Sequence, residues 1–223
     1  MSESNTVLGM FARYPEPGRT KTRLAASIGD EAAASLYTAF VCDLMARVPG
    51  LADSFVAAVT PATEQTQFWI ENLLPKNGHV LFQPEGNLGE RIHWFFDVCE
   101  SAANRVVLIG SDSPDIPDEI IANAFTELDS HEVVIAPATD GGYVLIGFSV
   151  APETLFEEVS WSSATTLQDT LLACHKRGFD VRLLQPWYDV DVEENLGTLG
   201  ALQMMDQSPA ALCPATSRVL RDL

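Results

Sequence analysis

The chain has 223 residues and a formal net charge of −18, from 31 acidic and 13 basic side chains. That charge argues against duplex DNA, RNA or an anionic membrane as a partner, because each of them repels a negative protein. Hydrophobic residues make up 47% of the chain, which is enough for a sizeable core, and the length fits one α/β domain over residues 1–223.

The first residues lack the basic start of a secretory signal, and no apolar stretch approaches the roughly 20 residues of a membrane span. We therefore expect a cytoplasmic protein with neither nucleic-acid nor membrane partners. The sequence does not indicate an oligomeric state.

Strand-like and helix-like segments alternate along the chain. Predicted strands cover Val7–Phe11, Phe55–Val59, Val80–Phe82, Arg105–Ile109, Val133–Ala136, Tyr143–Phe148 and Val181–Leu184. Predicted helices run from a cap at Asp30 to about Val48, over 63–73, after the loop 83–89, after Pro117 at its first position, over 163–177, and from Glu193 to about Met205. This alternation predicts a Rossmann-like, three-layer α/β/α sandwich with a mostly parallel sheet. Ligands of such sheets bind beyond the carboxyl ends of the strands.

The loop after the first strand concentrates positive charge. Four of the 13 basic residues fall within eleven positions there, opposed by Glu16 alone: Arg13, Arg19, Lys21 and Arg23. Such side chains donate to phosphate oxygens, and two prolines with Gly18 predict a fixed turn whose amides face inward. The pattern favours a site for nucleotide phosphates, although a solvated basic turn is the alternative.

Acidic residues follow the fourth and the last predicted strands. Asp112 lies on a small-residue loop directly after an apolar strand, a position from which one carboxylate reaches Mg²⁺ or Mn²⁺. Asp115 fits a helix cap or a turn better. Asp189 and Asp191 lie on one side of an extended segment, so either of them is a candidate second metal ligand. Asp191 is equally suited to capping the last helix.

The segment Asp140-Gly141-Gly142-Tyr143 separates two predicted strands. Asp-Gly-Gly favours a tight turn, which makes a plain hairpin one interpretation. The same glycines let a ligand approach the backbone closely, and Asp140 then accepts hydrogen bonds from hydroxyl groups. The two interpretations stay open at this point.

Five ordered blocks resemble a bacterial family of predicted glycosyltransferases within the GT-A fold superfamily of nucleotide-diphospho-sugar transferases. The family pattern is P-x-P-G-x-x-K-T-R-L, N/D-L-G-E-R, G-S/T-D-x-P, D-G-G-Y and D-V-D. The matching segments are 15–24, Asn87-Leu88-Gly89-Glu90-Arg91, Gly110-Ser111-Asp112-Ser113-Pro114, 140–143 and Asp189-Val190-Asp191. The resemblance runs from about residue 7 to 200.

The resemblance implies a GT-A fold, a nucleotide-binding site, an acceptor site and a divalent metal. It implies these nucleotide-binding residues: Phe11, Ala12, Arg13, Gly18, Arg19, Lys21, Arg23, Gln83, Leu88, Gly89 and Arg91. It implies acceptor-binding residues at 140–143, and catalytic roles for Lys21, Arg23, Asp112 and Asp140, with Asp140 as the hypothetical general base. The resemblance implies that Asp112 binds the metal, Mg²⁺ or Mn²⁺, and the alternation described above makes Asp189 or Asp191 the candidate second ligand.

The function indicated by the resemblance is transfer from a nucleotide-activated donor to a small-molecule acceptor. Glycosyl transfer from a nucleotide diphospho-sugar comes first. Nucleotidyl transfer from a nucleoside triphosphate to a phosphorylated acceptor is the alternative, because Ser111-Asp112-Ser113 carries one carboxylate where many glycosyltransferases have Asp-x-Asp. A non-catalytic nucleotide-sugar binding protein is a third possibility.

Overall fold

The computed structural model describes residues 5–76, 78–150, 152–203 and 213–223. Within these ranges seven strands form one sheet in the order β3-β2-β1-β4-β6-β5-β7. The strands are β1 (Thr6–Arg13), β2 (Ser54–Thr60), β3 (Gly78–Phe82), β4 (Arg105–Ile109), β5 (Val133–Pro137), β6 (Tyr143–Phe148) and β7 (Val181–Leu183). All neighbouring strands pair in parallel except β6, which is antiparallel to β4 and β5. The predicted α/β class with a mostly parallel sheet is confirmed.

Eight α-helices lie within the described residues. They are α1 (Thr22–Ile28), α2 (Asp30–Arg47), α3 (Glu64–Glu71), α4 (Leu88–Glu100), α5 (Asp118–Glu127), α6 (Thr166–Arg177), α7 (Glu193–Gln203) and α8 (Pro214–Arg221). Short 3-10 turns cover Val48–Leu51 and Glu153–Glu158. None of the described helices combines the length with the apolar character that crossing a membrane requires.

Two predicted helix starts were wrong by one residue. Gly29 precedes α2, so Asp30 is the first helical residue rather than the cap. Pro117 caps α5 instead of opening it, because its backbone is extended with ψ 137°. The predicted end of the last helix near Met205 lies outside the described residues.

Sequence periodicity does not predict α1 or α8. α1 has seven residues and buries Leu24 and Ala25 alone, so its apolar pattern is too short to recognise. The first turn of α8 depends on Asp43, whose carboxylate accepts from the backbone N–H groups of Ala215 at 2.9 Å and Thr216 at 2.8 Å. A cap supplied by a residue so distant along the chain leaves no local signal.

Each central strand divides its side chains between two apolar layers. Along β4, Val106 and Leu108 pack on the side of α4 and α6, whereas Val107 and Ile109 pack on the side of α2 and α5. This alternation follows from the two-residue repeat of a strand. Burial on both faces explains the unbroken apolar sequence of β4.

The carboxyl end of the sheet brings distant segments together. β1 and β4 are parallel neighbours, and Met10 pairs with Ile109 at the last position of β4, so Phe11–Arg13 extend beyond it. β6 runs in the opposite direction, and therefore its first residue, Tyr143, lies at the same edge. The loops after β1 and β4 are consequently adjacent here.

Candidate active site

Lys21 joins the basic loop to the two acidic segments. Its ammonium nitrogen lies 2.6 Å from Oδ1 of Asp112 and 2.6 Å from Oδ1 of Asp191. The Lys21 side chain is 5% exposed, whereas the two carboxylates are 45% and 37% exposed. Arg23 contributes a longer ion pair to Asp191, at 3.9 Å. Three segments that are distant in the sequence therefore meet at one point at the carboxyl end of the sheet.

Backbone hydrogen bonds place the segment that carries Asp191. After β7 the chain passes the carboxyl end of β5, where the N–H of Trp187 donates to the carbonyl of Pro137 at 2.9 Å. Further on, the N–H of Val190 donates to the carbonyl of Asp112 at 2.9 Å. Asp191 is thereby held beside the loop after β4. The side chain of Asn195 accepts from the N–H groups of Asp191 and Val192, each at 3.1 Å.

Tyr37 on α2 connects the loops after β1 and β4 through hydrogen bonds of its hydroxyl group. Its hydroxyl shares a 2.7 Å hydrogen bond with Ser111 and accepts the backbone N–H of Arg13 at 2.9 Å. Burial, and then the negative charge of Asp112, raise the pKa of Tyr37 to about 12, so the hydroxyl is neutral at pH 7. Tyr37 thus acts as a buried, uncharged link between the two loops.

Ser113 and Asp115 secure the acidic segments on the other side. The hydroxyl of Ser113 lies 2.8 Å from both the carbonyl of Tyr188 and Oδ1 of Asp189, and its single proton is shared between these two acceptors. The buried carboxylate of Asp115 accepts from the indole of Trp187 at 3.2 Å and the hydroxyl of Tyr188 at 2.5 Å. Of the two roles predicted for Asp115, the helix cap is wrong, since Pro117 is the cap residue of α5 and no side chain caps that helix. Asp115 does lie in a turn, in which the N–H of Ile116 donates to the carbonyl of Ser113 at 3.2 Å.

The site perturbs the pKa values of two of its charged groups. Burial lowers the pKa of Lys21, but attraction to Asp112 and Asp191 outweighs burial, and the net shift is upward. Lys21 is therefore charged at pH 7. Burial raises the pKa of Asp189 to about 6, with repulsion from Asp112 and Asp191 adding to the rise and the Ser113 hydrogen bond opposing it.

A basic cavity of about 300 Å³ opens above Lys21. Its lining contains all four basic residues of the predicted phosphate loop and both carboxylates that contact Lys21: Arg13, Arg19, Thr20, Lys21, Thr22, Arg23, Tyr37, Asp112 and Asp191. Both cationic and carboxylate side chains therefore line this cavity. Such a lining suits a phosphate group together with a cation.

An apolar cavity of about 270 Å³ adjoins the basic cavity, and Asp112 lines both. Its lining consists of Phe11, the start of α4, the end of β4 and the start of β6, together with the polar side chain of Asp189. Phe11 and Leu88, predicted to bind nucleotide, and Tyr143, predicted to bind acceptor, therefore lie in one cavity. Ala12 is buried in β1 between Phe11 and Arg13.

A larger cavity of about 430 Å³ lies at the other end of the sheet, beside Asn5, Asn104 and Ser149. These residues adjoin the amino ends of β1 and β4 and the carboxyl end of β6. We assign the site to the smaller pair of cavities because the charged groups converge there.

The turn at Asp140 lies outside the two cavities. The Asp140 carboxylate is exposed and accepts the N–H of Gly142 at 3.0 Å, so it forms the predicted turn between β5 and β6. Gly141 has φ 97°, and a Cβ added there would lie 2.2 Å from the carbonyl oxygen of Ala164. The structure thus requires glycine at 141, and it brings Tyr143 rather than Asp140 to the apolar cavity.

Four other predicted nucleotide-binding residues, Gln83, Arg91, Gly89 and Gly18, line neither of the two cavities, whereas Arg19 lines one of them. The Gln83 side chain donates to the carbonyl of Ala58 at 2.7 Å and accepts from Arg91 at 3.3 Å. Gly89 is buried against the indole of Trp161, and Gly18 adopts a left-handed turn with φ 75°. Arg19 lines the basic cavity and pairs with Glu16 at 3.4 Å.

Sequence reasoning missed the residues that hold the site together, namely Tyr37, Ser111, Ser113, Trp187 and Tyr188. Ser111 and Ser113 flank Asp112, so their position was a usable signal. Tyr37 gave none, because it looks like any aromatic residue on the apolar side of a helix.

No group of three His, Cys, Asp or Glu side chains in the described ranges is arranged to hold a metal ion by protein ligands alone. Asp112 and Asp191 nevertheless point two carboxylate oxygens at one positive centre, the ammonium of Lys21. A site with two carboxylates suits Mg²⁺ or Mn²⁺, which takes its remaining ligands from phosphates and water. The residues therefore fit the predicted metal.

The profile of the family described as "Uncharacterized protein conserved in bacteria (DUF2064)" matches residues 48–163, just over half of the chain. A crystal structure from Desulfovibrio desulfuricans G20, provisionally assigned as a nucleotide-diphospho-sugar transferase, is 32% identical with a TM-score of 0.85 and covers 98% of both chains. No curated protein sequence matched the chain.

More distant structures share the fold. A 4-diphosphocytidyl-2C-methyl-D-erythritol synthase from Anaerococcus prevotii DSM 20548 is 12% identical with a TM-score of 0.59, covering 91% of this chain and 97% of that one. A CMP:2-keto-3-deoxy-manno-octonic acid synthetase complexed with CTP is 11% identical with a TM-score of 0.56, covering 90% and 99%. The chain therefore belongs to the family described as "Uncharacterized protein conserved in bacteria (DUF2064)" and is a transferase with the fold of the nucleotide-diphospho-sugar transferases.

Proposed function

We propose that the chain transfers a sugar from a nucleotide diphospho-sugar to a small-molecule acceptor, with Mg²⁺ or Mn²⁺ as its cofactor. One observation carries the proposal: Lys21 of the basic loop contacts both Asp112 and Asp191 inside a cavity lined by three arginines. The same cavity offers donors to a diphosphate and carboxylates to its counter-ion. A cytoplasmic location and a single domain over residues 1–223 stay predictions.

The donor's diphosphate belongs in the basic cavity. Arg13, Arg19 and Arg23 are exposed there, so their guanidinium groups are free to turn towards phosphate oxygens. A bound Mg²⁺ or Mn²⁺ held by Asp112 and Asp191 supplies Lewis-acid stabilisation of the negative charge on the leaving diphosphate. The positive side chains neutralise part of the same charge, which stabilises the transition state electrostatically.

The apolar cavity suits the base of the donor. Asp112 lines both cavities, so a nucleoside placed between Phe11 and Leu88 has its phosphates directed at the basic loop. Aromatic and aliphatic side chains pack against a planar base and exclude water from it. We place the acceptor on the side of Tyr143 and the 140–143 turn, with Asp140 as the proposed general base. The isosteric D140N substitution preserves the bond from Gly142, and a D140N enzyme with full turnover rejects Asp140 as the base.

Nucleotidyl transfer from a nucleoside triphosphate is the second candidate, and a specific observation favours it. Asp112 has serines on both sides, and its partner Asp191 comes from a separate segment, instead of from an adjacent Asp-x-Asp position. The charge of the donor and the position of the metal suit glycosyl transfer and nucleotidyl transfer equally well, because both reactions depend mainly on positioning and electrostatics. The products separate them: a nucleoside diphosphate in one case and pyrophosphate in the other.

The test is nucleotide binding with and without Mn²⁺, followed by product analysis. We expect nucleotide sugars to raise the unfolding temperature, and Mn²⁺ to increase that rise in the wild type but not in D112N or D191N. D222N, at an exposed position on the chain end, is the matched control. Release of nucleoside diphosphate in the presence of acceptors supports glycosyl transfer. Pyrophosphate released from nucleoside triphosphates instead selects the second candidate, and no binding in any variant rejects both.

A further inference from the structure

The position of Lys21 is unusual for a residue predicted to bind phosphate. Its ammonium lies between two carboxylates with 5% of the side chain exposed, whereas the three arginines of the basic loop are exposed. Its backbone is left-handed, with φ 50° and ψ 46°, although it carries a Cβ. A non-glycine residue in this region is strained, and such strain persists only where surrounding contacts impose it. Here the two ion pairs are the contacts at the end of the side chain.

Lys21 and a divalent ion compete for the same oxygen atoms. Mg²⁺ binds carboxylate oxygens at about 2.1 Å, and these are the oxygens that the ammonium holds at 2.6 Å. Two positive centres bound to the same pair of atoms would lie within a few ångströms of each other and repel strongly. Without any cation, Asp112 and Asp191 would repel each other in turn. At these two Oδ1 atoms the ammonium and a divalent ion therefore exclude each other.

We propose that Lys21 is a positioning residue that holds Asp112 and Asp191 together in the nucleotide-free protein and is displaced when a divalent cation binds between them. The released ammonium then donates to the phosphates of the donor in the basic cavity, which Lys21 lines. This inference rests on the metal site of the proposed function, and it adds an exchange of cations at that site.

The exchange couples metal binding to phosphate binding. Metal alone has to displace Lys21 and leaves its ammonium without an anionic partner. Metal that arrives with a diphosphate provides that partner, so each ligand strengthens the binding of the other. Free metal is therefore bound weakly and metal pyrophosphate strongly.

The first experiment measures Mn²⁺ binding from the electron paramagnetic resonance signal of the free ion. K21M has a side chain of similar length without the charge, and K176M is the same substitution at an exposed residue that pairs with Glu158. We expect nucleotide-free K21M to bind Mn²⁺ at least about 10-fold more tightly than wild type and K176M, since the competing ammonium is gone. Calorimetry should show that wild type prefers manganese pyrophosphate to free Mn²⁺ and that K21M loses most of this preference.

The outcomes distinguish a failure of the proposed cation exchange from a failure of the proposed metal site. Mn²⁺ binding by wild type that K21M leaves unchanged or weakens overturns the exchange and leaves the proposed function standing. No Mn²⁺ binding by any variant, with or without pyrophosphate, overturns both.

A second measurement uses the wild-type protein and is independent of how K21M folds. The chain has three lysines, Lys21, Lys76 and Lys176, so acylation by a mild reagent is easily followed by peptide mass spectrometry. Mg²⁺ alone should accelerate the labelling of Lys21 and leave that of Lys176 unchanged, with KCl of equal ionic strength as the control. Unchanged labelling of Lys21 at a Mg²⁺ concentration that displaces bound Mn²⁺ overturns the proposal.

Discussion

The hydroxyl of Tyr188 donates a 2.5 Å hydrogen bond to the carboxylate of Asp115. This contact ties the segment that carries Asp191 to the loop that carries Asp112. Burial raises the pKa of Asp115, and the hydrogen bonds from Tyr188 and Trp187 oppose that rise by stabilising the ionised form. Asp115 therefore contributes to the site by fixing the relative position of two metal-binding candidates.

Removing the Tyr188 hydroxyl should weaken both folding and the metal site. Y188F leaves a buried carboxylate with one donor fewer, which costs about 1–3 kcal/mol of unfolding free energy. The segment at 187–191 also loses an anchor, so the affinity of the protein for Mn²⁺ should fall. Urea unfolding and Mn²⁺ titration measure the two effects.

Y14F is the matched control for this substitution. The Tyr14 hydroxyl accepts from the side chain of Gln65 at an exposed position, where water replaces the lost bond. We expect less than about 0.5 kcal/mol of destabilisation. Equal losses in Y14F and Y188F would show that the buried contact has no special role.

Gly141 should not tolerate a side chain. Its φ of 97° is strained for alanine, and the added Cβ would lie 2.2 Å from a backbone oxygen of Ala164. Backbone cannot move aside as a flexible side chain can, and the carbonyl of Gly141 also accepts the N–H of Leu167 near the start of α6. G141A should lose about 2–4 kcal/mol of stability, measured by urea unfolding.

G197A tests whether that loss comes from geometry. Gly197 lies in α7 with no atom within 4 Å of an added Cβ and no positive φ. Alanine favours helix there, so stability should stay constant or rise by up to about 1 kcal/mol. A loss in G197A as large as that in G141A contradicts the steric explanation.

The sheet was predictable because its signals are local. Arg105–Ile109 and Tyr143–Phe148 agree with β4 and β6 to the residue, since unbroken apolar runs bounded by polar turns define both. The antiparallel direction of β6 also follows from the short Asp-Gly-Gly connection. The short α1 and the α8 cap supplied by Asp43 depend on contacts that sequence periodicity does not carry.

The meeting of three candidate site residues was predictable, but their arrangement was not. Lys21, Asp112 and Asp191 were each recognised from their position after a strand, and the parallel pairing of β1 and β4 explains why their loops meet. The arrangement of the lysine between two carboxylates depends on side-chain directions, which residue spacing does not determine. The same limit applies to Gln83, whose amide is bonded to Ala58 and Arg91.

Arg19 provides a test of the electrostatic part of phosphate binding. Its side chain is 70% exposed at the basic cavity, and its partner Glu16 is 51% exposed. R19A should weaken pyrophosphate binding about 10-fold at low salt, which corresponds to about 1.4 kcal/mol, and the difference should shrink near 0.5 M salt because exposed charges are screened. Calorimetry at two salt concentrations measures this, with R221A on α8 as a control that leaves affinity unchanged. A salt-independent loss in R19A would contradict a screened, exposed contact.

The raised pKa of Asp189 predicts a pH-dependent stability. Its pKa is about 6 in the folded protein against 3.8 ordinarily, because burial and the nearby Asp112 and Asp191 disfavour the ionised form and outweigh the attraction of Lys21. The folded state therefore binds more protons than the unfolded state between about pH 4 and pH 6. Stability falls as pH rises through this window, and above it the full cost of the ionised group persists.

D189N removes that cost, because an amide is neutral at every pH and its oxygen still accepts from Ser113. Two pKa units correspond to at most about 3 kcal/mol, and partial exposure of the group reduces this to about 1–2 kcal/mol. D189N should therefore be more stable than wild type at pH 7.5, and the difference should shrink to about a third at pH 4.5, as measured by urea unfolding without metal. D222N, at an exposed position, is the matched control. A constant difference between D189N and wild type at the two pH values would mean that the ionisation of Asp189 does not limit stability.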